Sequence, residues 1–285
     1  MVCELLFLDA VDPSLGRVDR ESLPQQTLME MVIEGIMNKE EICGDADEPK
    51  DIEEWKGVTV EDGEVVEIKW RHSGLMGSLC VEWLPSSVKE LDAFDNGLTG
   101  TLHWASLPTF IKRLYLRLNA FTGSIDLERL PEGIVYLNVS ENMFCGSLKL
   151  WSLPKAMTFF MNDNKFSGSV DFTRLPAVLV RLSLSANQLS GSVVLTQLPG
   201  SLSSLFLSDN QLSGALDLTR LPSSLSHLDL NNNSFFGTVD LSQLPQALIR
   251  LDLSDNELSG EAFISDRVFH RVFVRSTKLI KRHIK

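Results

Sequence analysis

A Leu-Pro pair recurs at positions 84, 107, 130, 153, 175, 198, 221 and 244, at intervals of 23 residues with a single exception of 22. The same frame holds Asn96, Asn119, Asn142, Asn164, Asn187, Asn210, Asn233 and Asn256, each four residues before a glycine. The unit reads LxxLxLxxNxLxGx(V/I/L)xLxxLPxx. The segment "VVEIKWRHSGLMG" adds a weaker copy at the front, with Ser73 in the asparagine place and Gly77 in the glycine place. One such unit cannot enclose its own apolar face. Copies must stack, and the chain becomes a solenoid whose core runs along its length.

Within each copy the residue types follow from the path of the backbone. Leu205 and Leu207 alternate with Phe206, a period of two that buries one side of a short strand. The chain must then turn inside the core, where backbone groups need partners, and an asparagine amide supplies donors and an acceptor to successive turns. In "LDLNNNSFFGTVDLSQLP", Leu228 to Pro245, Asn233 is this frame residue and Phe235 fills the core place that Leu212 and Leu258 fill elsewhere. Asn231, Asn232 and Phe236 then face solvent. After the glycine, Val170 and Phe172 point inward and Asp171 outward, as Asp217 and Asp240 do in later copies, which predicts a second short strand. The proline limits the return leg to a short helical turn.

The period and the LxxLxLxxNxL core resemble the leucine-rich repeat. The NxLxG extension is similar to its plant type, and the full "LPxxLxxLxLxxNxLxGxVDLxxLP" frame looks closest to repeat proteins of trypanosomatid protozoa. The resemblance is strict from Leu75 to Gly260. It implies an α/β repeat fold: a curved solenoid of about nine coils with a parallel concave β-sheet. It also implies binding, without naming a partner. "EEWKGV", Glu53 to Val58, resembles the WxGVxC cap of extracellular plant repeats, with Glu53 and Val60 in the cysteine positions.

The ends need closing. Residues 1–60 read as an N-terminal segment with a capping helix, 61–262 as the solenoid, and 263–285 as a basic cap or tail. In "RESLPQQTLMEMVIEGI", two overlapping capping boxes, Ser22 to Gln25 and Thr27 to Glu30, precede an apolar face of Leu28, Met31, Val32 and Ile36. At the other end "RVFVRST" falls where a tenth strand is due and reads as a degenerate cap strand. The alternative use of this tail is contact with acidic lipid, RNA or an import receptor.

The net charge is −12, unevenly spread: Met1 to Lys56 carries 15 acidic and 5 basic residues, whereas Arg267 to Lys285 carries seven basic and none acidic. An acidic body argues against nucleic-acid binding. No apolar run is long enough to span a bilayer. The start, "MVCELLFLDAVDPSLG", lacks the basic n-region of a signal peptide. Cys3, Cys43, Cys80 and Cys145 form no CxxC pair. The expected address is cytoplasmic and reducing.

No catalytic motif is found, and the expectation is a non-enzyme without cofactor or metal. His72, His103, His227, His270 and His283 lack metal-ligand spacing. "DADEPKD" has Lys50 where a calcium loop needs glycine, and reads as a solvated acidic linker. Function then rests on positions the frame leaves free. Numbering LxxLxLxxN from one to nine, positions three, five, seven and eight face outward on the concave surface of the sheet. Phe94, Tyr115 and Tyr136 step across adjacent strands with Phe160 next, flanked by Arg71, Arg113 and Arg117. Aromatics beside arginines are the composition of an interface; the alternative is that the rings merely pack on one another. Asp209, Asp229, Asp252 and Asp255, with His227 and Arg250 among them, form an acidic end suited to a basic peptide. The leading expectation is a monomeric protein-binding scaffold. A self-associating structural module and an extracellular receptor or inhibitor are the alternatives.

Overall fold

The computed structural model describes residues 20–155 and 157–284; the opening segment with Cys3, together with Ala156 and Lys285, lies outside the described residues. The chain forms two compact units, one ending at Thr122 and one beginning at Gly123. Both are built from the same coil.

In the first unit the strand Glu64–Lys69 pairs in parallel with Glu90–Asp92, which pairs in parallel with Arg113–Tyr115. In the second unit Tyr136–Asn138, Thr158–Phe160, Arg181–Ser183, Ser204–Phe206, His227–Asp229 and Arg250–Asp252 form a parallel ladder with no register shift. Register is fixed by burial. Leu91, Leu114, Leu137, Phe159, Leu182, Leu205, Leu228 and Leu251 have no exposed surface, and neither do Phe121, Phe144, Phe166 and Phe235 at the next inward position. Each is worth about 1.5–3 kcal/mol when buried, and slipping a strand by one residue would turn them all outward.

The asparagines act as expected and also tie each coil to the one before. The Asn187 amide nitrogen donates to the carbonyls of Leu184 and Ser185 in its own coil and of Met161 in the preceding one; its oxygen accepts from the Phe166 N–H. Asn96, Asn164, Asn210, Asn233 and Asn256 repeat this set. In the opening triplet Asn233 is the ladder residue, Phe235 is core, and Phe236 is half exposed.

One backbone feature is marked in the sequence only where Asp or Asn holds it. The residue before each asparagine is left-handed: Asp95, Leu118, Glu141, Asp163, Ala186, Asp209, Asn232 and Asp255 have φ between 52° and 57°. An L-residue there costs about 1–2 kcal/mol, against about 0.5–1 kcal/mol for the flexibility of glycine. Ala186→Gly is therefore expected to raise stability by about 0.5 kcal/mol. A urea midpoint below that of the natural chain would contradict this account.

The second strand is not where the alternation after the glycine suggests. Lys165–Gly168, Gln188–Gly191, Gln211–Gly214 and Ser234–Gly237 run up to the glycine and end there. Past it, Val170 and Phe172 are buried as expected, but the intervening aspartate makes a turn. Asp171 and Asp217 accept from both the N–H and the hydroxyl of Thr173 and Thr219, and Asp240 from the N–H of Ser242. These hydrogen bonds, the hydroxyl first and the amide second, hold all three carboxyls below the ordinary carboxylate range. The return legs are short 3-10 turns such as Val81–Trp83, Trp104–Ser106 and Leu150–Ser152, each just before a Leu-Pro.

The N-terminal helix spans Gln25–Ile33, but its buried face is Leu28, Met29, Val32 and Ile33; Met31 is only half-buried, and Ile36 is buried beyond the helix end. Neither capping box forms, because Pro24 occupies the N-cap. Gln25 and Gln26 instead accept from the N–H groups of Val65 and Ile52, pinning the helix to the first coil. Val58–Glu61 forms an antiparallel hairpin with Glu64–Lys69 through left-handed Asp62 and Gly63. That Asp-Gly pair was a readable hairpin signal. Trp55 is buried and donates to the Lys50 carbonyl. Asp45 in "DADEPKD" accepts from the N–H groups of Asp47 and Glu48 in a local turn.

At the other end Val272–Phe273 pairs with Arg250–Asp252, the expected cap strand. Thr277 stands in the asparagine place, donating to the Val274 carbonyl and accepting from the Leu279 N–H. Lys278–His283 then pairs in parallel with Glu257–Ile264. The basic tail is largely engaged locally. Lys281 donates to the carbonyls of Phe269 and Val272 and lies over the Phe269 ring, and Arg282 pairs with Glu261.

Candidate functional site

Parallel pairing without register slips lines up every third and every fifth repeat position across neighbouring strands. In the first unit Lys69, Asp92 and Tyr115 are neighbours, as are Glu67, Glu90 and Arg113. The arginines expected to be available there are already occupied. The Arg71 guanidinium holds the Asp92 carboxylate, with Nε 2.8 Å from Oδ2, and Asp92 has no exposed surface. Arg113 Nε lies 2.6 Å from Glu90 Oε2, and Glu90 is also buried. Hydrogen bonding to these carboxylates pushes both guanidinium groups to a still higher pKa. Asp92 also accepts from the Phe94 N–H, fixing the strand end. Phe94 is half-buried between the edge-on His72 ring at 4.8 Å and the Arg117 guanidinium at 5.6 Å. Tyr115 is half-buried on the same face.

In the second unit Tyr136 and Phe160 are half-buried with ring centroids 5.9 Å apart. The packing that the sequence left as an alternative is thus present, and both rings still reach solvent. Beyond them Phe206 follows Ser183 in the same column as Phe160, while Arg181, Ser204 and His227 are consecutive in the neighbouring column. Phe160, Arg181, Ser204, Phe206 and His227 line a depression of about 340 Å³. Ser204, short and buried, keeps it open between two longer side chains. Arg181, Ser204 and Phe206 were not among the expected site residues, and His227 was expected only at the acidic end. Their signal was present as two phenylalanines in one column with only a serine between them.

The acidic end differs from its expectation too. Arg250 bridges Asp229, at 3.0 Å, and Asp252, at 2.7 Å, and lies over Phe273. Asp252 is buried and also caps the Ser254 N–H. Burial raises the Asp229 pKa, with Arg250 pulling it back. Asp209 accepts from the Asn232 amide. Asp229 and Asp252 are thus engaged, while Asp209 and Asp255 remain exposed. Among the described residues no cluster of histidine, cysteine and carboxylate groups is arranged to hold a metal ion.

No family model and no curated protein matches the chain. Solved structures do. The chain superposes on the PEPR1-AtPEP1 crystal structure with a TM-score of 0.68 at 22% identity, covering 91% of this chain and 41% of that one. The leucine-rich-repeat ectodomain of the Arabidopsis receptor kinase HAESA, solved with an N-terminal extended IDA peptide hormone ligand, matches at 0.58 and 21%, covering 91% and 49%. A plant ice-binding protein matches at 0.58 and 20%, covering 83% and 87%. The chain spans less than half the length of either receptor structure. The shared property is the leucine-rich-repeat solenoid fold.

Proposed function

We propose that the chain is a non-enzymatic scaffold that binds a protein or peptide on the outward face of its parallel sheet. The observation that carries this reading is the aromatic depression of the second unit. Phe160 and Phe206 line it, Tyr136 packs against Phe160, and all three rings are held half-buried by fixed strands. Rigid rings on a preformed surface lose little entropy when a partner covers them. Phe94, Tyr115 and Arg117 give the first unit a comparable surface of its own. The receptor structures of this fold hold peptide ligands. The ice-binding protein shows that the fold serves other ends, so the argument rests on the side chains.

The test replaces Tyr136, Phe160 and Phe206 together by serine. A partner identified by affinity capture and then purified is expected to bind this variant at least ~100-fold more weakly, since central aromatics typically contribute about 2 kcal/mol or more each. Circular dichroism should be unchanged, because the core positions are untouched. Binding at natural affinity would sink the proposal.

The repeat type belongs to the same reading: a plant-type frame closest to trypanosomatid proteins, carried by the NxLxG and LPxxL spacing. So does a reducing cytoplasmic address, supported by the free thiols of Cys43 and Cys145 and by Glu53 and Val60 in the cap's cysteine places. Glycans at Asn138 or Asn232, detected as a mobility shift after glycosidase treatment, would replace that address by an extracellular one.

A further inference from the structure

The sheet face carries several arginines, and some hold carboxylates. Arg71 holds Asp92, Arg113 holds Glu90, and Arg250 holds Asp229 and Asp252. Arg181 holds none. It is exposed, and among the described residues no hydrogen bond or ion pair engages its guanidinium. No acidic side chain lines the depression it borders. Asp229 and Asp252, further along the same ladder, are already committed to Arg250, in a chain whose net charge is −12.

The surroundings of Arg181 are apolar and shaped. Phe160 and Phe206 lie two strand spacings apart, about 10 Å, with the short Ser204 between Arg181 and His227. That interval suits one large apolar side chain lying against the two rings. A guanidinium at the rim of such a site is matched in geometry by a carboxylate, which it engages through two parallel hydrogen bonds. His227 keeps its Nδ1 on the Ser226 hydroxyl, at 2.9 Å, and presents its other edge.

The geometry points to an acidic peptide segment as the occupant: a large apolar side chain enters between Phe160 and Phe206, and an aspartate or glutamate beside it pairs with Arg181. This rests on the binding-scaffold reading and names the chemistry of the partner. A basic segment would meet an uncompensated guanidinium, and a wholly apolar one would leave that guanidinium partly desolvated without a counterion.

The experiment pans a random heptapeptide display library on the full chain, on Arg181→Glu and on the double variant Phe160→Ser, Phe206→Ser. Peptides selected by the natural chain are expected to carry Asp or Glu within two residues of an aromatic or long aliphatic residue. Arg181→Glu should exchange that preference for Lys or Arg, and the ring variant should lose the apolar preference. The best peptide, synthesised, should bind Arg181→Gln about tenfold or more weakly than the natural chain. Selection of basic or charge-indifferent peptides by the natural chain, an unchanged preference on Arg181→Glu, or recovery of no peptide overturns the inference. Apolar selection that vanishes in the ring variant without any charge preference removes the carboxylate partner and leaves the scaffold. Peptides indifferent to both variants remove both.

Discussion

Asn187→Ala is expected to lower the unfolding free energy by about 4 kcal/mol. The side chain is buried, satisfies three carbonyls through its amide nitrogen and accepts one N–H through its oxygen. Truncation to alanine orphans these groups in the core, and each buried unsatisfied group costs about 1–3 kcal/mol. Sharing of the two amide protons among three carbonyls keeps the sum near the lower end. Asn162→Ala, at the strand end of the preceding coil and half-buried, should change stability by less than about 0.5 kcal/mol. Urea unfolding of both variants tests the contrast. A loss under about 1 kcal/mol for Asn187→Ala would mean that water replaces the amide, and the ladder would then not be the source of coil-to-coil cohesion.

Arg250→Ala is expected to cost about 2–3 kcal/mol at neutral pH and distinctly less near pH 5. Asp229 and Asp252 face each other on neighbouring strands, and Arg250 is the cation between them. Without it two largely buried carboxylates repel. The figure is set at or below the usual range for a broken buried pair because the arginine itself is half exposed. The pH direction follows from Asp229, whose carboxyl burial already raises and Arg250 restrains. Removing the restraint takes the folded-state pKa further above the unfolded one. The folded state then binds a proton the unfolded state does not, so stability falls as pH rises above the unfolded carboxylate value and returns as pH drops. Arg250→Ala combined with Asp229→Asn should recover most of the loss. A loss independent of pH would assign the effect to the Phe273 contact instead.

The frame was legible because burial and period carry it. The inward leucines, the ladder asparagines and the cap strand at Val272–Phe273 all follow from counting. The second strand was misplaced because the alternation of Val170, Asp171 and Phe172 is equally that of an aspartate-capped turn. The left-handed position had a signal in Asp95, Asp163, Asp209, Asn232 and Asp255, but Leu118, Glu141 and Ala186 have no local preference for it; there the coil imposes it. The helix register missed Met29 because docking against the first coil, through Gln25 and Gln26, decides which face is covered. The outward columns align across the strands as counted, but Asp92, Glu90, Ser204 and Asp252 within them are buried. Which arginine meets which carboxylate depended on side-chain reach across strands, and that separates Arg181 from Arg71 and Arg113.

The bonds described for the ladder asparagines end within their own coil or the one before it, as the reach from Asn187 to Met161 shows. The chain therefore has no distant registration to preserve. Excising or duplicating one 23-residue copy by unequal recombination would leave each surviving junction chemically the same. Gene length can then drift in whole repeats, altering how many outward columns are on offer while the aromatic depression travels intact with its own few strands.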